Sequence, residues 1–118
     1  MTTEQEVRQF LNEFKVKMDI YSIIFRDDRT TKKNTKALLS LDILPNKRKE
    51  IIKDLNSQDY YEGPLSDKLY GMSSMWVFGK TVKNKEVYIK ISMGFEEGSV
   101  ICISFHEAEY KITYPFKK

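Results

Sequence analysis

The chain has 118 residues, of which 41% are hydrophobic and 31% charged, with a formal charge of +3, one cysteine and one histidine. This length closes one core but not two, and the apolar content excludes intrinsic disorder. A lone Cys102 and a lone His106 exclude an internal disulfide and a conventional zinc site, and the short apolar runs exclude a membrane-spanning helix.

The expectation is therefore a single domain over residues 1–118, cytoplasmic, needing no metal and no cofactor. The N-terminus, Met1-Thr2-Thr3-Glu4, lacks the basic and apolar regions of a secretion signal. The modest net charge does not by itself imply nucleic acid. Its distribution is more informative: Arg26, Arg29, Lys32, Lys33 and Lys36 form one basic cluster, Lys47, Arg48, Lys49 and Lys53 a second, and Lys80, Lys83, Lys85 and Lys90 a third.

Val7, Phe10, Leu11 and Phe14 recur at i, i+3, i+4 and i+7 and predict a helix over residues 3–14, opened by a Thr3/Glu6 capping box. Residues Ile20–Phe25 are β-branched and aromatic and predict a strand ending at the first basic cluster. A short helix is expected over Thr35–Leu41. Pro45 suits the first position of another, over residues 45–56, with Ile51, Ile52 and Leu55 on its apolar side. Residues 57–74, with Gly63, Pro64, Gly71 and several serines, show no sustained period and predict a long loop.

Beyond residue 74 the period changes to two. Met75–Val82, Glu86–Met93 and Ser99–His106 predict three strands joined by hairpin-like connectors, Lys83-Asn84-Lys85 and a Gly94–Gly98 turn. The fold class is α+β: N-terminal helices packed on an antiparallel meander of three to four strands.

Alternation sends Val87, Ile89, Ile91 and Met93 to the core and Tyr88, Lys90 and Ser92 to the second face. In the last strand Ile101, Ile103 and Phe105 form the apolar set, leaving Val100, Cys102, Ser104 and His106 on the second face. One permitted register sets Tyr88 opposite His106 and Lys90 opposite Ser104. An Asn84-Lys85 turn would place Trp76, Phe78 and Val82 with the core set, and Val77, Gly79 and Thr81 on the Tyr88 face.

A phenol, an ammonium and an imidazole on one open face are the groups that cleave RNA through its own 2′-hydroxyl: a base, a cation for the phosphorane and an acid for the departing 5′-oxygen. Imidazole titrates at about 6.5 and serves as either acid or base near neutrality. His106 takes that part, Tyr88 positions or donates a proton, and Lys90, Lys80 or Arg26 holds the phosphate. A structural reading competes, in which Tyr88 and His106 are a cross-strand pair and Lys90 snorkels over it. Tyr60 and Tyr61 either pack under the loop or stack on bases. After His106 come Tyr110, Tyr114, Pro115 and Phe116, which fold over the sheet or stack on a base.

The segments Ala37-Leu38-Leu39, Asp59-Tyr60-Tyr61, Met75 to Lys80, Glu86-Val87-Tyr88-Ile89-Lys90-Ile91 and Val100 to Phe105 resemble, in order and spacing, the MqsR-type toxins of bacterial toxin–antitoxin operons. The resemblance implies a RelE-like fold, an endoribonuclease acting on mRNA with or without the ribosome, and neutralisation by a cognate antitoxin. It places the family's strand tyrosine and lysine on Tyr88 and Lys90, and its C-terminal lysine on His106. The chain departs from the pattern at Val77, where the family has glutamine, and after Tyr61, where Glu62, Gly63 and Pro64 replace a segment containing a lysine. Glu62 becomes a candidate general base with His106 as acid, against the plainer reading of a solvated loop carboxylate. The alternative to an enzyme is an RNA-binding or protein-interaction module using the same basic sheet face.

Overall fold

The computed structural model describes residues 2–26, 46–66 and 73–117. The helix expected over residues 35–41, the Pro45 helix start and most of the first basic cluster lie outside the described residues.

Helix α1 (Glu4–Tyr21) opens with the expected capping box: the Glu6 amide donates to Thr3 Oγ1 at 3.2 Å and the Thr3 amide donates to Glu6 Oε1 at 2.9 Å. Its buried stripe is Val7, Phe10, Leu11, Phe14 and Met18. Met18, four residues beyond Phe14, carries the helix past the predicted end and into the residues expected to begin a strand. Ser22, at φ 78°, stops it, and only Ile23–Phe25 forms strand β1.

Helix α2 (Lys47–Lys53) is shorter than expected but buries the predicted Ile51 and Ile52, with Leu55 just beyond its end. A 3-10 turn (Ser57–Asp59) then leads directly into β2 (Tyr60–Leu65), where a loop was expected. The remaining strands, β3 (Met75–Val82), β4 (Lys85–Ser92) and β5 (Val100–Glu107), lie within one residue of their predicted bounds.

The sheet has five strands in the order β1-β5-β4-β3-β2. Strands β2 to β5 form an antiparallel meander, but β1 pairs parallel with β5, Ile24 opposite Ile101, so the sheet is mixed rather than purely antiparallel. Lys83 and Asn84, at φ 50° and 68°, make the β3–β4 turn in the left-handed conformation that two-residue hairpins favour. The turn therefore sits one residue earlier than expected. Partners shift by two positions, giving Phe78 opposite Ile89 and Gly79 opposite Tyr88, and the predicted faces survive because the shift is even.

Strand β5 departs from simple alternation. Ile89 pairs with Phe105 and Lys90 with Ser104, but Ile91 then pairs with Cys102, leaving Ile103 as an inserted residue. This bulge inverts the phase of the strand's first half. Val100 and Cys102, expected on the second face, join Phe105 in the core against α1, whereas Ile101 and Ile103, expected in that core, join Met75 and Leu65 in a separate cluster. Phe14, Phe78 and Phe105 are fully buried in or beside the main core, each contributing roughly 1.5–3 kcal/mol through the apolar surface removed from water.

Beyond β5 the chain crosses back over the meander as a strap. The Ala108 amide donates to the Glu86 carbonyl at 2.9 Å, the Ile112 amide to Glu86 Oε1 at 3.0 Å, and the Tyr114 hydroxyl to Glu86 Oε2 at 2.8 Å. Phe116 then stacks on Tyr60 with centroids 5.3 Å apart. Among the described residues no helix is long and apolar enough to cross a membrane.

Candidate functional site

Two bulges and one register determine which side chains meet on the sheet face away from α1. The β4–β5 pairing sets Tyr88 opposite His106 and Lys90 opposite Ser104, the register permitted by strand parity. On the other side of the meander, β2 slips by one residue between Tyr60, opposite Phe78, and Glu62, opposite Val77. Tyr60 is consequently buried in the α1 core, and Tyr61 is delivered to the opposite face.

A cavity of about 330 Å³ opens there, lined by Tyr61, Tyr88, Lys90, Ser104, His106, Glu109, Tyr110 and Ile112. Three strands and the C-terminal strap contribute to it. Val77 and Gly79 of β3 lie between Tyr61 and the β4 residues in the sheet order, and the strap closes over Gly79 through Ile112 and Tyr114, so that Ile112 walls the cavity on that side.

The Tyr88 and His106 rings stack, with centroids 5.2 Å apart and planes inclined by 13°. The Lys90 ammonium stands 5.8 Å from the Tyr88 ring centroid. His106 Nδ1 lies 3.0 Å from the Glu107 carbonyl oxygen. A carbonyl only accepts, so Nδ1 carries the proton in that bond and Nε2 of the neutral ring is left as the proton acceptor. Burial pushes the Tyr88 phenol up to about 12, and the nearby Glu62 carboxylate and Tyr61 add to the rise. At neutral pH Tyr88 is a hydrogen-bond donor.

Of the residues singled out from the sequence, His106, Tyr88, Lys90 and Tyr61 therefore come together. Glu62 does not line the cavity, and its influence on the site is through the charge it presents to Tyr88. Lys80 does not join them. It shares a face with Phe78, its ammonium lies 3.1 Å from Asp59 Oδ2 and 3.2 Å from Asp54 Oδ2, and its role is to tie β3 to the 3-10 turn. Arg26 follows β1, where its amide donates to the Cys102 carbonyl at 2.8 Å, and it is not among the cavity residues.

The second basic cluster also disperses. Arg48 packs over the Phe25 ring at 3.9 Å, Lys47 pairs with Glu50 at 2.9 Å, and Lys53 pairs with Asp19 at 3.2 Å. In the third cluster Lys85 is drawn to Glu107 at 3.8 Å.

Sequence reasoning missed Glu109 and Ile112 as cavity walls. The available signal was the alternation Tyr110, Ile112, Tyr114, a strand-like pattern that marks a segment lying with one face on a surface. Among the described residues no group of three His, Cys, Asp or Glu side chains is placed to hold a metal ion. The assembled groups offer a proton acceptor, a neutral proton donor, an ammonium and aromatic walls. No family model, no curated protein and no solved structure matches the chain.

Proposed function

We propose that the protein is a small toxin-like endoribonuclease that cleaves mRNA by general acid–base catalysis, with the Tyr88, Lys90 and His106 face as its active site. The observation that carries this reading is the stacked Tyr88–His106 pair with Lys90 in one aromatic-walled cavity.

In the proposed reaction His106 Nε2 accepts the proton of the ribose 2′-hydroxyl as the 2′-oxygen attacks phosphorus. The bond from phosphorus to the 5′-oxygen breaks, and the departing oxygen takes a proton from the Tyr88 hydroxyl. The products are a 2′,3′-cyclic phosphate and a 5′-hydroxyl. Lys90 stabilises charge on the phosphorane oxygens, a contribution that grows as water is excluded from the cavity. Burial and Glu62 make Tyr88 a weaker acid than a free phenol, but the departing 5′-alkoxide is more basic still and takes its proton; at the pH where a neutral imidazole accepts, the phenol is protonated. Glu62 helps to keep it so, and with His106 already in the cavity the base role falls to the imidazole rather than to this carboxylate.

A growth-inhibiting nuclease requires a partner that masks it. We place the cognate antitoxin on this open face, following the MqsR-type resemblance, with its gene expected beside this one. Purified protein should cut an RNA oligonucleotide to cyclic-phosphate ends and leave its 2′-deoxy counterpart intact, and His106→Ala should slow cleavage by about 10²–10⁴-fold, the usual contribution of a positioned acid or base. Intact RNA with the wild-type protein, assayed with and without ribosomes, would overturn the proposal.

A further inference from the structure

Resting on the reading of this cavity as a phosphodiester site, we propose that Tyr110 is its base-stacking residue and that the site takes single-stranded polynucleotide with one base unstacked onto that ring. Tyr110 is 85% exposed, the most exposed large hydrophobic side chain among the described residues, yet it lines the cavity that holds Lys90 and His106. Other exposed apolar side chains, Val16, Ile20, Ile24 and Phe95, do not line that cavity. Singly exposed hydrophobics are ordinary. The distinguishing feature of Tyr110 is its position beside a cation and an acid–base pair.

The backbone that carries the ring is anchored on either side. The Ala108 amide is fixed on the Glu86 carbonyl and the Ile112 amide on the Glu86 carboxylate, so the two residues flanking Tyr110 at a distance of two are both anchored to β4. An aromatic presented on an anchored segment loses little conformational freedom on binding, which favours stacking. Tyr61 supplies a second aromatic wall from β2, and among the described residues neither ring stacks on another aromatic, unlike Tyr88 and His106, which occupy one another.

Size argues for a single strand. A cavity of about 330 Å³ is at the lower end of the roughly 300–1,000 Å³ typical of small-molecule sites, which suits one nucleotide and not a helix. In a duplex each base face is covered by its neighbours, so a base reaches Tyr110 only after unpairing and unstacking. Stacking tolerates any base, because every base has a π-face. The inference accordingly names a strandedness and no sequence.

The test is a fluorescence-anisotropy titration with a labelled 2′-deoxy oligonucleotide, which lacks the nucleophile and cannot be cut by the proposed chemistry. The single strand should bind the wild-type protein at least tenfold more tightly than the same sequence annealed as a duplex. Tyr110→Ala should weaken single-strand binding by about 5–100-fold, the effect of losing one base–aromatic stack, and Tyr110→Phe should restore most of it. Equal affinity for single strand and duplex, or wild-type affinity in Tyr110→Ala, overturns the inference. These readouts are separate from cleavage: binding without scission sinks the nuclease and leaves the stacking residue, whereas scission with an indifferent Tyr110→Ala does the reverse. Absence of binding by the wild type overturns the inference, and the nuclease then stands or falls on the cleavage of RNA alone.

Discussion

Gly79 lies directly under Tyr114: a Cβ at position 79 would stand 2.5 Å from the Tyr114 hydroxyl oxygen and 2.8 Å from Ile112 Cδ1. The strap therefore reaches the sheet only because β3 has no side chain at the position that pairs with Tyr88. Gly79→Ala should lift the strap or distort β3 and destabilise the fold by about 1–3 kcal/mol, the usual cost of overpacking a fitted contact. Urea denaturation measures it. An unchanged midpoint would mean that the strap yields without cost and is not part of the folded unit.

Glu86 is the other half of that attachment, since one carboxylate accepts from the Ile112 amide and the Tyr114 hydroxyl. Removing it strands two partly buried donors, at a cost of about 1–3 kcal/mol for each one left unsatisfied. Glu86→Ala should therefore speed hydrogen exchange at the Ile112 amide while leaving the α1 core amides protected. Uniform loss of protection throughout the chain would contradict a locally anchored strap. Because the strap carries Glu109 and Tyr110 into the cavity, the same variant should also weaken any ligand held there.

Much of this arrangement was legible in the residues. The α1 stripe, the Thr3/Glu6 cap and the three C-terminal strands follow from spacing, and strand parity permits the register that opposes Tyr88 to His106 and Lys90 to Ser104. The bulge at Ile103 was not legible, because Val100 to Ile103 is apolar at every position and buried on both faces, so no polar residue marks the phase. Strand β2 was hidden by Gly63 and Pro64, which read as loop even where pairing with β3 holds them in a strand. The parallel pairing of β1 with β5 joins residues far apart in the chain and leaves no local trace. Lys80 was misplaced for a different reason: a lysine looks the same in sequence whether it faces a phosphate or two aspartates.

Tyr88 is pushed up to about 12, first by burial and then by Glu62 and Tyr61, and Tyr114 is raised further by burial and its hydrogen bond to Glu86. An unfolded tyrosine ionises at about 10. Below that pH both states keep the proton and the stability is fully present. As pH climbs through 10 the unfolded state gains by releasing protons that the folded state retains, so stability falls progressively up to about 12. The near-ultraviolet phenolate signal should accordingly show tyrosines ionising late in the native protein, and Tyr88→Phe should remove one of them and reduce the alkaline loss of stability. Glu62→Gln should move the Tyr88 transition to lower pH. If all tyrosines ionise together in the native protein, the environment described for Tyr88 is wrong.

Lys80 separates a basic residue that maintains the fold from one that serves a site. Burial lowers its tendency to stay charged, but hydrogen bonds and charge from Asp59 and Asp54 outweigh this and hold its proton more tightly than usual. The ammonium is only partly exposed, and Asp59 is similarly sheltered, whereas Asp54 is open to solvent. A pair in this setting contributes more than a fully solvated one, whose worth is about 0–1 kcal/mol, and removal of one partner leaves Asp59 partly buried without its cation. Lys80→Met should therefore lower stability by about 1–2 kcal/mol in urea melts, leaving RNA affinity and cleavage per folded molecule unchanged. Lys90→Met should instead weaken RNA binding and reduce its dependence on salt, since one phosphate contact is lost. If Lys80→Met impairs cleavage as much as Lys90→Met does, the substrate extends around the sheet edge onto the α1 face, and the boundary drawn here for the site is too small.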